Sequence, residues 1–78
     1  MVRRHIARDR RKLQKLLKTV REEADLTQVQ VAERLGLPQS FVSKYESGER
    51  RLELPEIDAI CEAVGISLVD FVDRYAKA

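Results

Sequence analysis

All three glycines of this 78-residue chain, Gly36, Gly48 and Gly65, stand directly after stretches whose apolar residues recur at three- and four-residue steps. That recurrence is the period of one buried helix face, and a glycine just past such a face is a strong stop signal. The chain is therefore divided by its own punctuation into short amphipathic helices. The first helix is predicted from about Arg8 to Ala24, with Leu13, Leu16, Leu17, Val20 and Ala24 on one side and Arg8, Arg11, Lys15 and Lys18 roughly opposite. Thr27-Gln28-Val29-Gln30 reads as a capping box, in which the Thr27 hydroxyl accepts from the third free N–H and Gln30 reaches back. A second helix thus starts near Gln28, buries Val31, Ala32 and Leu35, and stops at Gly36.

Pro38 suits the start of a third helix, because its missing N–H has no intrahelical bond to lose. Val42 and Tyr45 supply the buried face of that helix, and Gly48 ends it. Pro55 sits one place inside a fourth helix carrying Ile57, Ile60, Cys61 and Val64, with Gly65 as its end. Ser67-x-x-Asp70 reads as a shortened capping box that opens a fifth helix carrying Leu68, Phe71, Val72 and Tyr75. No alternation of strand type and no linker or internal repeat interrupts this series, so the expectation is an all-α domain of five helices, residues 8–78, behind a basic arm at residues 1–7.

A chain this short lies near the lower limit for folding on one core. With one cysteine and one histidine it has no disulfide and no four-ligand zinc cluster to help. No metal or cofactor is expected. Apolar stretches reach only two or three residues, far short of the roughly 20 that cross a bilayer, so no membrane association and a cytoplasmic location are expected. An enzyme is not expected either: Cys61 sits on an apolar stripe as a small core residue, and no nucleophile–base pair or Gly-rich phosphate loop accompanies it.

The net charge of +2 conceals a strong polarity along the chain. Residues 1–21 hold nine basic side chains and one acidic, while residues 22–78 hold six basic and twelve acidic. A basic segment of this kind suits a polyanion, since Lys and Arg bind phosphate with release of counterions.

The second and third helices hold the most specific signal. Two short helices joined by a three-residue turn containing Gly form the arrangement that lays the second helix in the major groove of DNA. Such a pair needs a small residue where the helices touch, a residue tolerant of left-handed geometry in the turn, and an apolar anchor on the second helix. Ala32, Gly36 and Val42 meet these needs at offsets of four and six, within a motif spanning residues 27–47. The N-terminal residues of a recognition helix approach base edges most closely, together with those one turn on. Gln39, Ser40, Ser43 and Lys44 are the expected base-contacting residues. Gln39 can pair bidentately with adenine, and Lys44 can donate to guanine. Phe41 is grouped with them, either against a thymine methyl or folded back onto a neighbouring helix.

The segment from Leu26 to Arg50, LTQVQVAERLGLPQSFVSKYESGER, resembles the Cro/cI-type helix-turn-helix, or Xre family, and the likeness continues through Leu52 to Phe71. Asp25 stands where that family often has Gly, and Pro38 where it often has Ser, Thr or Asn. The resemblance implies a five-helix, lambda-repressor-like domain that binds operator DNA, usually as a two-fold symmetric dimer. It also implies that Gln28 meets a backbone phosphate at its helix N-terminus, and that Arg21 and Glu46 form a semi-buried structural ion pair. Arg50 and Arg51, following the third helix, are expected on neighbouring phosphates. Arg3, Arg4 and Arg8 are candidate arm contacts to DNA. Val69, Val72, Tyr75 and Ala76 on the fifth helix are the candidate homodimer surface. The implied function is a sequence-specific transcriptional regulator, a repressor, acting on double-stranded DNA. The rival is a protein-interaction module, such as an antitoxin or adaptor, docking through the acidic stretch 53–78.

Overall fold

A computed structural model describes residues 5–78 and contains five α-helices: α1 Ile6–Glu23, α2 Gln28–Leu35, α3 Gln39–Ser47, α4 Leu54–Val64 and α5 Leu68–Lys77. α1 begins two residues before the expected boundary at Arg8, so Ile6 and Ala7, assigned above to an arm, form its first turn. Nothing between Ile6 and Arg8 disfavours a helix, and Asp9 places a negative charge in the first turn, where the helix dipole favours one. Arg3 and Arg4 lie outside the described residues.

Local chemistry sets the remaining boundaries. The capping box at α2 is complete: the Gln30 N–H donates to Thr27 Oγ1 at 3.1 Å, and the Thr27 N–H donates to Gln30 Oε1 at 2.8 Å. Pro38, extended at φ −64°, caps α3 from just outside it. α4 carries a second capping box that the sequence reading missed, with Glu53 as the cap and Glu56 reaching back to the Glu53 N–H at 2.8 Å. The Glu56 carboxylate is held below its ordinary range first by that N–H and then by Arg50. At α5 the Ser67 hydroxyl accepts from the Asp70 N–H at 3.0 Å, a one-sided cap.

The inward stripes meet in one core. Leu16, Leu17 and Val20 of α1, Val31 and Ala32 of α2, Val42 and Tyr45 of α3, Ile60, Cys61, Ala63 and Val64 of α4, and Phe71 of α5 are all buried. α2 packs against both α3 and α4, while α1 packs against α3 and α5. Burial pushes the Cys61 thiol up to about 11, which leaves it an unreactive core residue at neutral pH.

Two polar links tie helices that are remote in sequence. Arg34 Nη1 donates to the Ala63 carbonyl at 2.7 Å, satisfying a last-turn acceptor of α4. Arg74 grips Glu23 through two hydrogen bonds of 2.7 and 3.0 Å, joining α5 to α1. None of the helices among the described residues is long and apolar enough to cross a membrane.

The α2–α3 turn depends on Gly36, whose φ of +68° lies in the left-handed region. Asp25 adopts the same region at φ +57°, a conformation its short polar side chain tolerates. Apart from its two chain neighbours, nothing lies within 4 Å of the place a Cβ at Gly36 would occupy, so substitution there meets backbone strain alone. Gly36→Ala is expected to cost about 1–2 kcal/mol and to lower the melting temperature by several degrees, with helical content unchanged by circular dichroism.

Candidate nucleic-acid interface

Burying Val42 and Tyr45 turns the opposite side of α3 outward. Gln39, Ser40 and Lys44 are exposed there and Ser43 is half-buried, so these four form one polar stripe along the outer face. Lys44 supplies the positive charge of this stripe.

The amino end of the stripe is anchored by a chain of side-chain hydrogen bonds. Gln39 Nε2 donates to Gln28 Oε1 at 2.8 Å, and Gln28 Nε2 donates to Glu46 Oε1 at 3.0 Å. Arg21 holds the same carboxylate bidentately, Nε to Oε2 at 2.7 Å and Nη2 to Oε1 at 3.0 Å, and its Nη1 donates to the Leu26 carbonyl at 2.9 Å. The Glu46 hydrogen bond is the main reason the Arg21 guanidinium stays protonated above its ordinary range, with burial opposing it. Side-chain exposures of 11% for Arg21 and 4% for Glu46 put this pair largely out of water. Gln28, read from the sequence as a phosphate contact, is thus also the bridge between the ion pair and the first residue of α3.

Phe41 does not join the outer stripe. Its ring meets Tyr45 edge to face, with centroids 5.6 Å apart and planes at 75°, and the Arg50 guanidinium lies 4.8 Å above it. An aromatic ring gains more from this apolar and quadrupolar packing than from standing in water, so the ring turns away from the stripe, onto Tyr45 of its own helix and the Arg50 that follows it rather than onto the neighbouring helix the sequence suggested. Arg50 is engaged as well, with Nη2 2.7 Å from Glu56 Oε2. Arg51 is exposed beside it. Together they border a cleft of about 190 Å³ whose far wall carries Arg10 and Gln14 of α1. Arg10, which the sequence groups with the basic arm, lies instead on α1 beside Arg50 and Arg51.

Arg8 is exposed and shares a groove with Arg11, Lys12 and Lys15. On α5, Val69 and Val72 are 77% and 48% exposed, and Ala76 is exposed beside them. Tyr75 is half-buried, with Lys12 Nζ 4.3 Å from its ring centroid. Leu54 at the start of α4, 61% exposed, borders a cleft of about 180 Å³ with Val72 and Tyr75, which extends this apolar surface beyond α5.

Comparison with known proteins places this geometry among relatives. A helix-turn-helix family model matches residues 17–71. An XRE-family like protein from Pseudomonas syringae pv. tomato is 38% identical with a TM-score of 0.84, covering 92% of this chain and 89% of that one. The wild-type restriction-modification controller protein C.Esp1396I is 25% identical with a TM-score of 0.82, covering 88% and 90%. The tetramer of that controller protein in complex with its natural 35 base-pair operator superposes equally well, at a TM-score of 0.82. The antitoxin PezA of Streptococcus pneumoniae is 36% identical over 58 residues, 74% of this chain, and the chain spans only 37% of that antitoxin's length.

Proposed function

Because the chain belongs to the Xre-type helix-turn-helix family, we propose that it is a sequence-specific DNA-binding transcriptional regulator, a repressor, that reads a two-fold operator as a homodimer. The observation that carries this reading is the outer stripe Gln39, Ser40, Ser43 and Lys44, presented on a short helix whose opposite face is locked into the core. In this reading α3 lies in the major groove, Gln39 and Lys44 address base edges, and Ser40 and Ser43 complete the contact surface. Gln28, Arg50 and Arg51 meet the flanking phosphates. Arg3, Arg4 and Arg8 add arm contacts, and Arg10 is available from the cleft it shares with Arg50 and Arg51. The solved controller protein on its operator supports DNA as the ligand and an oligomer as the binding form.

One short helix covers only a few base pairs, so selectivity requires a pair of half-sites roughly 34 Å apart. The exposed Val69, Val72 and Ala76, with Tyr75 and Leu54 beside them, form the proposed contact between protomers.

Selection of bound duplexes from a random pool, followed by a salt titration of the selected sequence, tests the proposal. The expected products are inverted repeats whose affinity falls steeply with salt, at a logarithmic slope of about −0.9 for each phosphate neutralised. Absence of binding to any duplex at low salt would overturn it. In that event the likeness to the antitoxin favours a second reading, in which the acidic stretch 53–78 docks a protein partner.

A further inference from the structure

Given that α3 enters the major groove, we infer that Glu46 is a positioning residue for base recognition, setting the direction of a hydrogen-bond chain through Gln28 that commits Gln39 to adenine. An ionised carboxylate only accepts hydrogen bonds. Glu46 therefore obliges Gln28 to present its amide nitrogen, at 3.0 Å from Glu46 Oε1. That choice leaves the Gln28 oxygen facing Gln39, which must answer with its own nitrogen, at 2.8 Å. One of the two Gln39 N–H groups is thereby spent. Its second N–H and its oxygen remain, one donor and one acceptor, and this pair matches adenine N7 and the N6 amino group.

Nothing at Gln39 itself makes that choice, because the amide oxygen and nitrogen are nearly alike in size and shape. A chain running the other way would use the Gln39 oxygen and leave two donors outward, the pattern that suits guanine O6 and N7. The reversed chain needs a donor at position 46, which a carboxylate lacks. Arg21 strengthens the constraint by gripping both carboxylate oxygens, and the 4% exposure of the Glu46 side chain keeps water from competing. The ion pair thus acts on specificity as well as on stability.

Selection from a random duplex pool tests this inference with four proteins: wild type, Gln39→Ala, Glu46→Gln and Gln28→Met. The base pair read by Gln39 is identified as the one whose preference disappears in Gln39→Ala. Wild type is expected to enrich adenine there. Glu46→Gln supplies a donor at the root of the chain and is expected to accept guanine as well, lowering the adenine-to-guanine ratio by between about five- and about a hundredfold. Gln28→Met cuts the chain in the middle while leaving the Arg21–Glu46 pair in place. It is expected to lose the same preference at a melting temperature close to that of wild type, which separates positioning from folding. An unchanged adenine-to-guanine ratio in Gln28→Met, whatever uniform loss of affinity its missing phosphate contact brings, overturns the inference while leaving DNA reading intact, as does a wild type that enriches sequences without adenine at that place. A wild type that enriches no sequence overturns the DNA-binding proposal and this inference with it.

Discussion

Arg21→Ala is expected to destabilise the protein by about 3 kcal/mol, because it leaves the Glu46 carboxylate with only 4% exposure and no opposite charge. This value lies at the low end for broken buried pairs, since Arg21 keeps some contact with water and Gln28 still donates to Glu46. The substitution also removes the donor to the Leu26 carbonyl, so the α1–α2 connection loses a second restraint. For a domain of this size each kcal/mol corresponds to about 4–8 °C, which predicts a melting temperature lower by about 12–24 °C. Thermal unfolding followed by circular dichroism is the measurement, and a midpoint within a degree of wild type would refute the structural role of the pair. Arg74→Ala is the control: the Arg74–Glu23 pair has the same shortest distance of 2.7 Å but is open to water on both sides, so its removal is expected to move the midpoint far less.

The second large effect is functional. Replacing Gln39 and Lys44 together by Ala is expected to abolish the preference for operator over random duplex while leaving the fold intact. Each residue is a candidate for one bidentate base contact worth about 1–3 kcal/mol of discrimination, so the pair together accounts for about 2–6 kcal/mol. That range corresponds to about 30-fold to more than 10⁴-fold in relative affinity. Both side chains are exposed and neither belongs to the core, so the melting temperature should hold. Arg51→Ala provides the contrast, weakening every duplex alike and reducing the salt slope by about one. Competition of labelled operator against random DNA at several salt concentrations separates the two behaviours. An unaltered operator preference in the Gln39/Lys44 double variant would show that α3 does not read bases.

Helix type and helix ends were readable in the chain because both are set by neighbours three or four positions away. The steps of Leu13, Leu16, Leu17 and Val20, the Thr27–Gln30 box, the left-handed turn at Gly36 and the cap at Ser67 all belong to this class. The α4 box was missed because Glu as a cap residue carries a weaker signal than Ser or Thr. The α1 start was misplaced because Ile6 is 71% exposed and adds nothing to the buried stripe by which helices were located. On α3, the outward positions Gln39, Ser40 and Lys44 followed from the burial of Val42 and Tyr45 on the opposite side. The pairing of Arg21 with Glu46 did not follow from spacing; only the family resemblance pointed to it.

What the amino-acid order determined alone was therefore the set of five helices, their stops and the face each would bury. Tertiary structure decided which distant groups meet: Gln28 between Glu46 and Gln39, Arg34 on the Ala63 carbonyl, and Glu23 with Arg74. The division has a physical cause. Helical period and capping depend on backbone hydrogen bonds that close within one turn, whereas a contact between residues 11 to 51 positions apart exists only after the helices have packed at one angle and depth around their common core.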